Sequence, residues 1–265
     1  MQKDFCIISF ASGEPYLSES KQLESLCNES SLTFKLYEST WLKKTKFYTK
    51  NKKLLDSKKS GYCAWKPFII LDALKEYKKI LYLDSSMLFN KENIHKFIGS
   101  SHSILSTETT LINKHHTKYK TFEIMGCNSD KYFNCKQVWA GVILADRRAK
   151  HFLKRWLHYC CIEDCISDEF YKSIEPDVKY VLYDQSIYST LYKKYNKPYI
   201  SNVIVDKYDN YLGFYFGDTR ERSHRDTISK IFGRHIMENQ DDLIKNYFED
   251  YMTNGSCCYN PLKCS

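Results

Sequence analysis

The residues best suited to do chemistry lie in the segment LYLDSSMLF, residues 81–89. Asp84 follows a short apolar run that is typical of a buried strand, and two small polar residues, Ser85 and Ser86, come directly after it. Carboxylate and hydroxyl oxygens suit Mg²⁺ or Mn²⁺, which in turn hold diphosphates. The segment therefore predicts a site for a metal and a diphosphate at this strand end. The alternative is that Asp84 only caps the following turn.

Strands and helices alternate along the chain and would position these residues. Short apolar or alternating runs predict strands, and apolar residues at helical spacing predict helices, with Pro67 in a first helical position and Asp146 and Asp184 as N-caps. The predicted strands are residues 5–10, 32–37, 80–83, 103–106, 138–145, 202–206 and 211–217, and the predicted helices are residues 17–27, 67–77, 147–160, 185–195 and 241–252. The polar stretch 107–137 is predicted to be irregular, as an active-site loop or an insertion.

This alternation predicts a single α/β domain with a central, mostly parallel sheet flanked by helices. A chain of 265 residues is long enough for one such domain. Ligands of such sheets lie beyond the carboxyl ends of the strands. We therefore expect the functional residues at 9–13, 84–86 and 139–141 and near Asp184.

The net charge of +8 is concentrated in one stretch of the sequence. Residues 41–66 hold nine lysines and one acidic residue, so the remainder of the chain sums to zero. This stretch is predicted to be a solvated loop or surface helix, or else a lid or rim that attracts a polyanion such as a diphosphate or an acidic membrane surface. Nucleic-acid binding is a further hypothesis, but no aromatic and basic stacking motif supports it, and we expect no nucleic-acid partner.

The cysteines and the N-terminal residues favour a soluble protein of the cytoplasm. No uncharged apolar run approaches the roughly 20 residues that span a bilayer, and the first residues lack the features of a signal peptide. The 11 cysteines are odd in number and irregular in spacing, so reduced thiols are expected. Two clusters, in residues 160–165 and 257–264, lack the paired spacing of structural zinc sites, which makes metal binding there the less favoured interpretation.

The segment around Asp84 resembles the D-x-D region of nucleotide-sugar-dependent glycosyltransferases with the GT-A fold. In that region the first aspartate contacts ribose or metal, and the second coordinates the metal that bridges the diphosphate. Asp84 matches the first aspartate, and Ser86 stands at the second. Three further stretches resemble the same family: CIISFASGEPYL at 6–17, GYCAWKPFIILDAL at 61–74, and VWAGVILADRRAKHFLKRW at 138–156 with YDQSIYSTLY at 183–192, where Trp139 replaces the usual asparagine.

The resemblance implies a single Rossmann-like GT-A domain over residues 1–265, in which residues 1–100 mainly bind the nucleotide and residues 101–265 mainly the acceptor. It implies an enzyme that moves a hexose or related sugar from a UDP- or GDP-sugar to a glycan or other acceptor, with Mn²⁺ or Mg²⁺ as the cofactor. A serine is a weaker, neutral ligand than aspartate, so either another residue helps Ser86 or the metal is not required. The alternative is a catalytically inactive relative that binds glycans or nucleotides.

The same resemblance implies roles for individual residues. The catalytic candidates are Asp184, as an acid/base or sugar-positioning carboxylate, and Gln185, beside the anomeric carbon. The implied metal ligands are Asp84, Ser86 and His224, with His235 as the second choice of histidine. The implied donor-binding residues are Ser9, Phe10, Ala11, Lys66, Asp84, Ser85, Ser86, Ala140, Gly141 and Arg222.

Several of these assignments have a simpler structural alternative. Lys66 could lie in a mobile loop, and Asp184 could be only a helix N-cap. Ala140 and Gly141 could be ordinary strand residues that pack against a helix. The arginines and histidines of residues 220–235 could form a solvated surface cluster.

Overall fold

A six-stranded sheet forms the centre of the protein, and helices pack on both of its faces. The computed structural model describes residues 3–91, 94–167, 177–200 and 214–216. The strands are β1 (Lys3–Ala11), β2 (Phe34–Glu38), β3 (Tyr77–Leu83), β4 (Met87–Phe89), β5 (Ile104–Ile112), β6 (Lys136–Asp146), β7 (Tyr199–Ile200) and β8 (Phe214–Phe216). The longer helices are α1 (Tyr16–Glu29), α6 (Lys66–Glu76), α10 (Lys150–Cys160) and α12 (Tyr183–Lys194). The shorter helices are α2 (Ser39–Leu42), α3 (Lys46–Lys50), α4 (Lys52–Leu55), α5 (Lys58–Tyr62), α7 (Ile94–Ile98), α8 (Tyr119–Ile124), α9 (Asp130–Phe133) and α11 (Glu163–Ile166).

The strand order of the sheet is β2-β1-β3-β6-β5-β7. β1 pairs in parallel with β2 and β3, and β7 pairs in parallel with β5. β6 is antiparallel to both of its neighbours, β3 and β5. Five of the six strands therefore run in one direction, which confirms the predicted α/β fold with a mostly parallel sheet. β4 and β8 form a separate antiparallel pair.

Alternate residues of the central strands face opposite sides of the sheet. In β3, Ile80 and Tyr82 belong to the core on one side, and Leu81 and Leu83 belong to the core on the other. Helices α6, α10 and α12 contribute to the first core, whereas α1 and α7 contribute to the second. Because both faces are covered, the central strands appear in the sequence as continuous apolar runs, which is why their existence could be predicted.

The stretch 107–137 is more regular than its polar sequence predicts. β5 continues to Ile112, and the helices α8 and α9 follow before β6 begins. Four polar residues of β5 are buried, Ser106, Thr107, Glu108 and Thr109, and Glu108 pairs with Lys193 of α12 at 2.7 Å. The prediction of an irregular loop is wrong because the side chains of Ser106, Glu108 and Thr109 find partners inside the fold and so do not mark exposed backbone.

The lysine-rich stretch forms the four short helices α2 to α5, so it is helical, as the surface-helix hypothesis predicts, and not a loop. Leu42 and Leu55 turn inward and are buried, whereas most of the lysines are exposed. Lys66 departs from this pattern, since it begins α6 and is buried. The mobile-loop alternative for Lys66 is therefore wrong.

The two predicted N-caps have different outcomes. The side chain of Asp146 accepts a hydrogen bond of 2.8 Å from the N–H of Arg148, at a 3₁₀ turn that leads into α10, so this capping role is confirmed. α12 begins at Tyr183 with Leu182 in the capping position. The N-cap alternative for Asp184 is therefore wrong, since Asp184 lies inside the first turn.

Several predictions lie outside the described residues: the strand 202–206, the helix 241–252, the cysteines of 257–264, and Arg222, His224 and His235. The eight cysteines that are described form no disulfide with one another. Within the described ranges, no helix combines the length and the apolar character that a membrane span needs.

Candidate functional site

A buried lysine joins two aspartates at the carboxyl end of β3. Lys66 is only 5% exposed. Its Nζ lies 3.0 Å from Oδ2 of Asp184 and 3.3 Å from Oδ1 of Asp84, and it donates a hydrogen bond of 3.2 Å to the carbonyl oxygen of Ala140. The ammonium therefore connects the start of α6, the end of β3, the middle of β6 and the first turn of α12. We call Lys66, Asp84 and Asp184 the lysine cluster.

Asp84 is the member of the lysine cluster that solvent reaches. Its side chain is 37% exposed, against 7% for Asp184. The Asp84 N–H donates to the carbonyl oxygen of Gly141 at 2.9 Å, and the hydroxyl of Tyr82 donates to Oδ1 of Asp84 at 2.6 Å. An oriented carboxylate is thus open to a ligand at the strand end where α/β sheets bind their ligands.

Burial and neighbouring charge act in opposite directions on the lysine cluster. Burial raises the pKa of Asp184 to about 6, and the attraction of Lys66 limits that rise. Burial would lower the pKa of Lys66, but attraction to Asp184 and Asp84 overcomes it and raises that pKa above its usual value. Lys66 therefore stays charged at neutral pH, whereas Asp184 has a pKa suited to proton exchange near neutral pH.

A close approach of two side chains to the backbone makes Gly141 necessary. A Cβ atom at this position would lie 2.8 Å from Oδ2 of Asp84 and 2.5 Å from two ring atoms of Trp139. Neither the oriented carboxylate nor the indole could keep its place beside such an atom. The absence of a side chain at Gly141 is what lets Asp84 and Trp139 lie against β6.

Gln185 is held by the protein at both ends of its amide. Its Oε1 accepts a hydrogen bond of 3.4 Å from the N–H of Ala140, and its Nε2 donates to Oε1 of Gln137 at 2.8 Å. Gln137 in turn donates to Oδ1 of Asn113 at 3.1 Å and to the hydroxyl of Thr117 at 3.2 Å. A buried chain of amides and hydroxyls therefore fixes the start of α12 against β6.

The end of β1 lies beside the end of β3. The hydroxyl of Ser9 donates a hydrogen bond of 2.8 Å to the carbonyl oxygen of Leu83. The ring of Phe10 stacks on Trp65, with ring centroids 3.8 Å apart and planes inclined by 23°. Ala11 completes the strand and is buried. These contacts place the end of β1 next to the residue that precedes Lys66.

The structure brings most of the predicted site residues together. Lys66, Ala140 and Asp184 meet at the lysine Nζ, and Asp84 contacts the same atom. Ser85 and Ser86 turn away from the solvent-exposed face: both are buried, and the hydroxyl of Ser85 donates to Glu19 of α1 at 3.1 Å. Arg222 and His224 are outside the described residues, so their placement stays a prediction.

The described residues do not fit a divalent metal on their own. Of the three predicted ligands, only Asp84 presents an exposed carboxylate, while Ser86 is buried and His224 is not described. In the part of the chain that the structure describes, no three His, Cys, Asp or Glu side chains are grouped so that they could hold a metal ion.

Sequence reasoning missed three residues of the site. Tyr82 stands two residues before Asp84, and residues two apart in a strand lie on the same side of the sheet. The sequence therefore indicated that Tyr82 lies near Asp84. Trp65 lies within the W-K-P stretch that marks Lys66. Gln137 carried no local signal, because its partners Asn113 and Gln185 are far from it in the sequence.

Comparisons with known proteins gave structural similarities alone. No protein-family model matches the sequence, and no curated protein matches it. The chain is similar to a solved glycosyltransferase involved in glycosylation of the major capsid of the virus PBCV-1. The identity is 16%, the overlap covers 86% of this chain and 98% of that one, and the TM-score is 0.45.

Two further solved structures overlap with most of the chain. One is a mutant of Drosophila β-1,4-galactosyltransferase 7 in complex with manganese, UDP-Gal and xylobiose, with 13% identity, 90% and 81% coverage of the two chains and a TM-score of 0.38. The other is the galactosyltransferase LgtC with donor and acceptor sugar analogues, with 12% identity, 92% and 82% coverage and a TM-score of 0.38.

Replacing Gly141 with alanine tests the close approach at β6. We expect Gly141→Ala to lower the free energy of unfolding by about 1–3 kcal/mol, because the added methyl group would overlap Trp139 and Asp84. Urea unfolding measures this loss. Ala145→Gly in the same strand is the control for a change of one methyl group away from Asp84. A stability of Gly141→Ala equal to that of the wild type would contradict the described packing.

The raised pKa of Asp184 predicts a pH dependence of stability. The folded state binds the Asp184 proton more tightly than the unfolded state, in which the pKa of this group is near 3.8. The contribution of Asp184 to the free energy of unfolding therefore falls as the pH rises from about 4 to about 6, and it is constant above that interval. Asp184→Asn removes the contribution. We expect the unfolding free energy of Asp184→Asn, relative to wild type, to rise over that interval in urea titrations. A difference that does not change with pH would show that Asp184 titrates normally.

Proposed function

We propose that the chain is a glycosyltransferase that moves a sugar from a UDP- or GDP-sugar to a glycan or another acceptor. The observation that carries this proposal is the lysine cluster. Its residues come from separate stretches of the sequence that resemble glycosyltransferase motifs, and they meet around one atom, Nζ of Lys66. The resemblance to the motifs does not require Lys66, Asp84 and Asp184 to lie close together. Their proximity therefore supports the proposed function independently of the motifs.

On the donor side, Asp84 is the proposed group that faces the nucleotide sugar. It is the exposed carboxylate of the site, and Tyr82 and Lys66 hold its Oδ1. The ends of β1 and β3 lie next to each other, so the nucleotide would lie along Ser9–Ala11 and the diphosphate near Asp84. This arrangement is consistent with residues 1–100 as the nucleotide-binding half.

On the acceptor side, Asp184 is the proposed acid/base or sugar-positioning carboxylate. A pKa of about 6 would let it hold or release a proton near neutral pH. Gln185, the other proposed catalytic residue, keeps its amide on Ala140 and Gln137. It would therefore act by fixing the backbone of β6 beside the transferred sugar, with residues 101–265 forming most of the acceptor side.

Charge balance sets a further requirement on the proposed site. The lysine cluster has two carboxylates and one ammonium, so a departing diphosphate near Asp84 needs additional positive charge to stabilise it. We propose that Arg222 and His224 contribute on this side, as the sequence predicts. Whether Mn²⁺ or Mg²⁺ adds to them is measured directly by assaying with and without each ion.

Donor hydrolysis and donor binding test the proposed function. A panel of UDP- and GDP-sugars is incubated with the protein, with and without Mn²⁺, and released nucleotide and calorimetric binding are measured. Asp84→Ala is expected to lower turnover by about 100-fold or more, or to abolish donor binding, because it removes the oriented group at the donor. Asp184→Ala is expected to lower turnover more than donor affinity.

Asp4→Ala is the matched control, because Asp4 is an exposed aspartate that pairs with Lys78 at the start of β1. It should retain wild-type turnover. Donor binding without turnover would favour the inactive binding relative. The absence of binding to every donor would reject the glycosyltransferase.

We also propose a peripheral contact between the lysine-rich helices and an anionic membrane surface. The exposed lysines of α2 to α5 and their junctions form what we call the basic surface: Lys43, Lys44, Lys46, Lys50, Lys52, Lys53 and Lys58. Among them, Lys52 pairs with Asp56 and Lys53 with Glu163, which partly neutralises their charge. Lysines near an anionic bilayer add attraction that salt screens, so the contact would be reversible.

Vesicle sedimentation tests the basic surface. The variant with Lys43, Lys44, Lys46 and Lys50 all changed to glutamine is expected to lose binding to vesicles that contain phosphatidylserine, by about 10-fold or more, because each lysine near such a surface adds roughly 1 kcal/mol. The control changes Lys75, Lys78, Lys91 and Lys96 to glutamine, which removes the same charge elsewhere. Equal binding of the two variants, or equal binding to neutral vesicles, would contradict the contact.

A further inference from the structure

Four consecutive residues shortly before Lys66, the last three of α5 and the residue after it, have left-handed φ angles. The φ values of Ser60, Gly61, Tyr62 and Cys63 are +52°, +76°, +55° and +64°. For residues other than glycine this conformation costs free energy, because Cβ approaches the following carbonyl oxygen. Runs of such residues persist only where the surrounding structure holds them, and they concentrate at functional sites.

Packing against α4 holds this left-handed turn. A Cβ atom at Gly61 would lie 2.8 Å from Cα of Leu55 and 2.9 Å from the carbonyl oxygen of Leu54, so the two backbones touch there. The turn is also bonded forward to the site, since the N–H of Lys66 donates to the carbonyl oxygen of Cys63 at 3.0 Å. The strained backbone of the turn therefore sets the direction in which the chain continues to Lys66.

A second strained residue precedes Asp184. Tyr183 has a φ of +47° and begins α12. Its ring contacts the ring of Tyr62, with centroids 5.1 Å apart and planes inclined by 42°. The two strained segments thus touch each other through their tyrosines, and each leads within a few residues to one partner of the Lys66–Asp184 ion pair.

We propose that Tyr62 and Tyr183 are positioning residues, and that their contact holds Lys66 and Asp184 at ion-pair distance for the transfer reaction. We call the turn Ser60–Cys63 together with Tyr183 the tyrosine joint. Neither tyrosine needs to touch the substrate, because each acts through the charged residue that follows it. The role in transfer rests on the proposed function, whereas the positioning of Lys66 can be tested without it.

The first test measures how well Lys66 is protected. The folded protein is treated briefly with an amine-acylating reagent, and modification of each lysine is read by peptide mass spectrometry. In the wild type Lys66 is buried and ion-paired, so it should react far more slowly than the exposed lysines. Tyr62→Ala removes the ring contact and should raise the rate at Lys66 by about 5-fold or more through local opening. Tyr62→Phe keeps the ring and should restore protection.

Leu23→Ala is the stability control, because Leu23 is fully buried in α1 on the other side of the sheet. It should lower the stability of the protein without exposing Lys66. If Tyr62→Ala leaves the Lys66 rate unchanged, or if Leu23→Ala raises it equally, the proposal is overturned. Gly61→Ala is a second variant with the same expectation as Tyr62→Ala, through the clash with Leu55.

The second test separates positioning from simple structure. Once a donor is found, Tyr62→Ala should lower kcat by about 10-fold or more with a change in KM of less than about 3-fold, as expected for misplacement of groups that act in the transition state. Unchanged kcat in Tyr62→Ala would overturn the positioning role. If the wild type turns over no donor, the proposed function fails. The acylation rate of Lys66 then still shows whether the tyrosine joint positions Lys66.

Discussion

The burial of one lysine ammonium among oxygen atoms is the interaction on which the rest of this structure depends. Removing a charge from water is costly, and the cost is recovered only when the partners are close and well placed. Nζ of Lys66 has three oxygens within 3.3 Å: it donates a hydrogen bond to Ala140 and forms ion pairs with Asp84 and Asp184. Loss of one partner from a buried ion pair typically costs about 3–5 kcal/mol. The segments that carry these oxygens are therefore held together by electrostatics as well as by apolar packing.

The topology of the sheet makes this meeting possible. β6 is antiparallel to β3 and extends past its end, so the middle of β6 lies there, with Val142 paired to Leu83. The carbonyl oxygen of Gly141 accepts the N–H of Asp84, and the neighbouring Ala140 carbonyl accepts from Lys66. A strand in the usual direction would present a different part of its sequence at this edge. The direction and register of β6 within the six-stranded sheet are thus what bring Ala140 and Gly141 to the lysine cluster.

The sequence predicted this fold well where one physical signal dominated. The central strands are covered on both faces, so their apolar runs stand out, and Asp146 caps its turn as its position indicated. The prediction failed where long-range partners decide local structure. The buried polar residues of β5 were predicted to form a loop because their partners are distant in the sequence. Glu108, for example, pairs with Lys193. The partners of Lys66 were hidden for the same reason, although Lys66, Asp84 and Asp184 were each singled out.

The most direct measurement is a crystal structure of the protein with a UDP- or GDP-sugar analogue bound. The account predicts that the diphosphate lies at the carboxyl end of β3, within about 5 Å of the exposed carboxylate of Asp84, where ligands of α/β sheets bind. It also predicts that Lys66 still bridges to Asp184 beneath the sugar. A nucleotide bound at another edge of the sheet, with Asp84 and the lysine cluster facing only water, would contradict it.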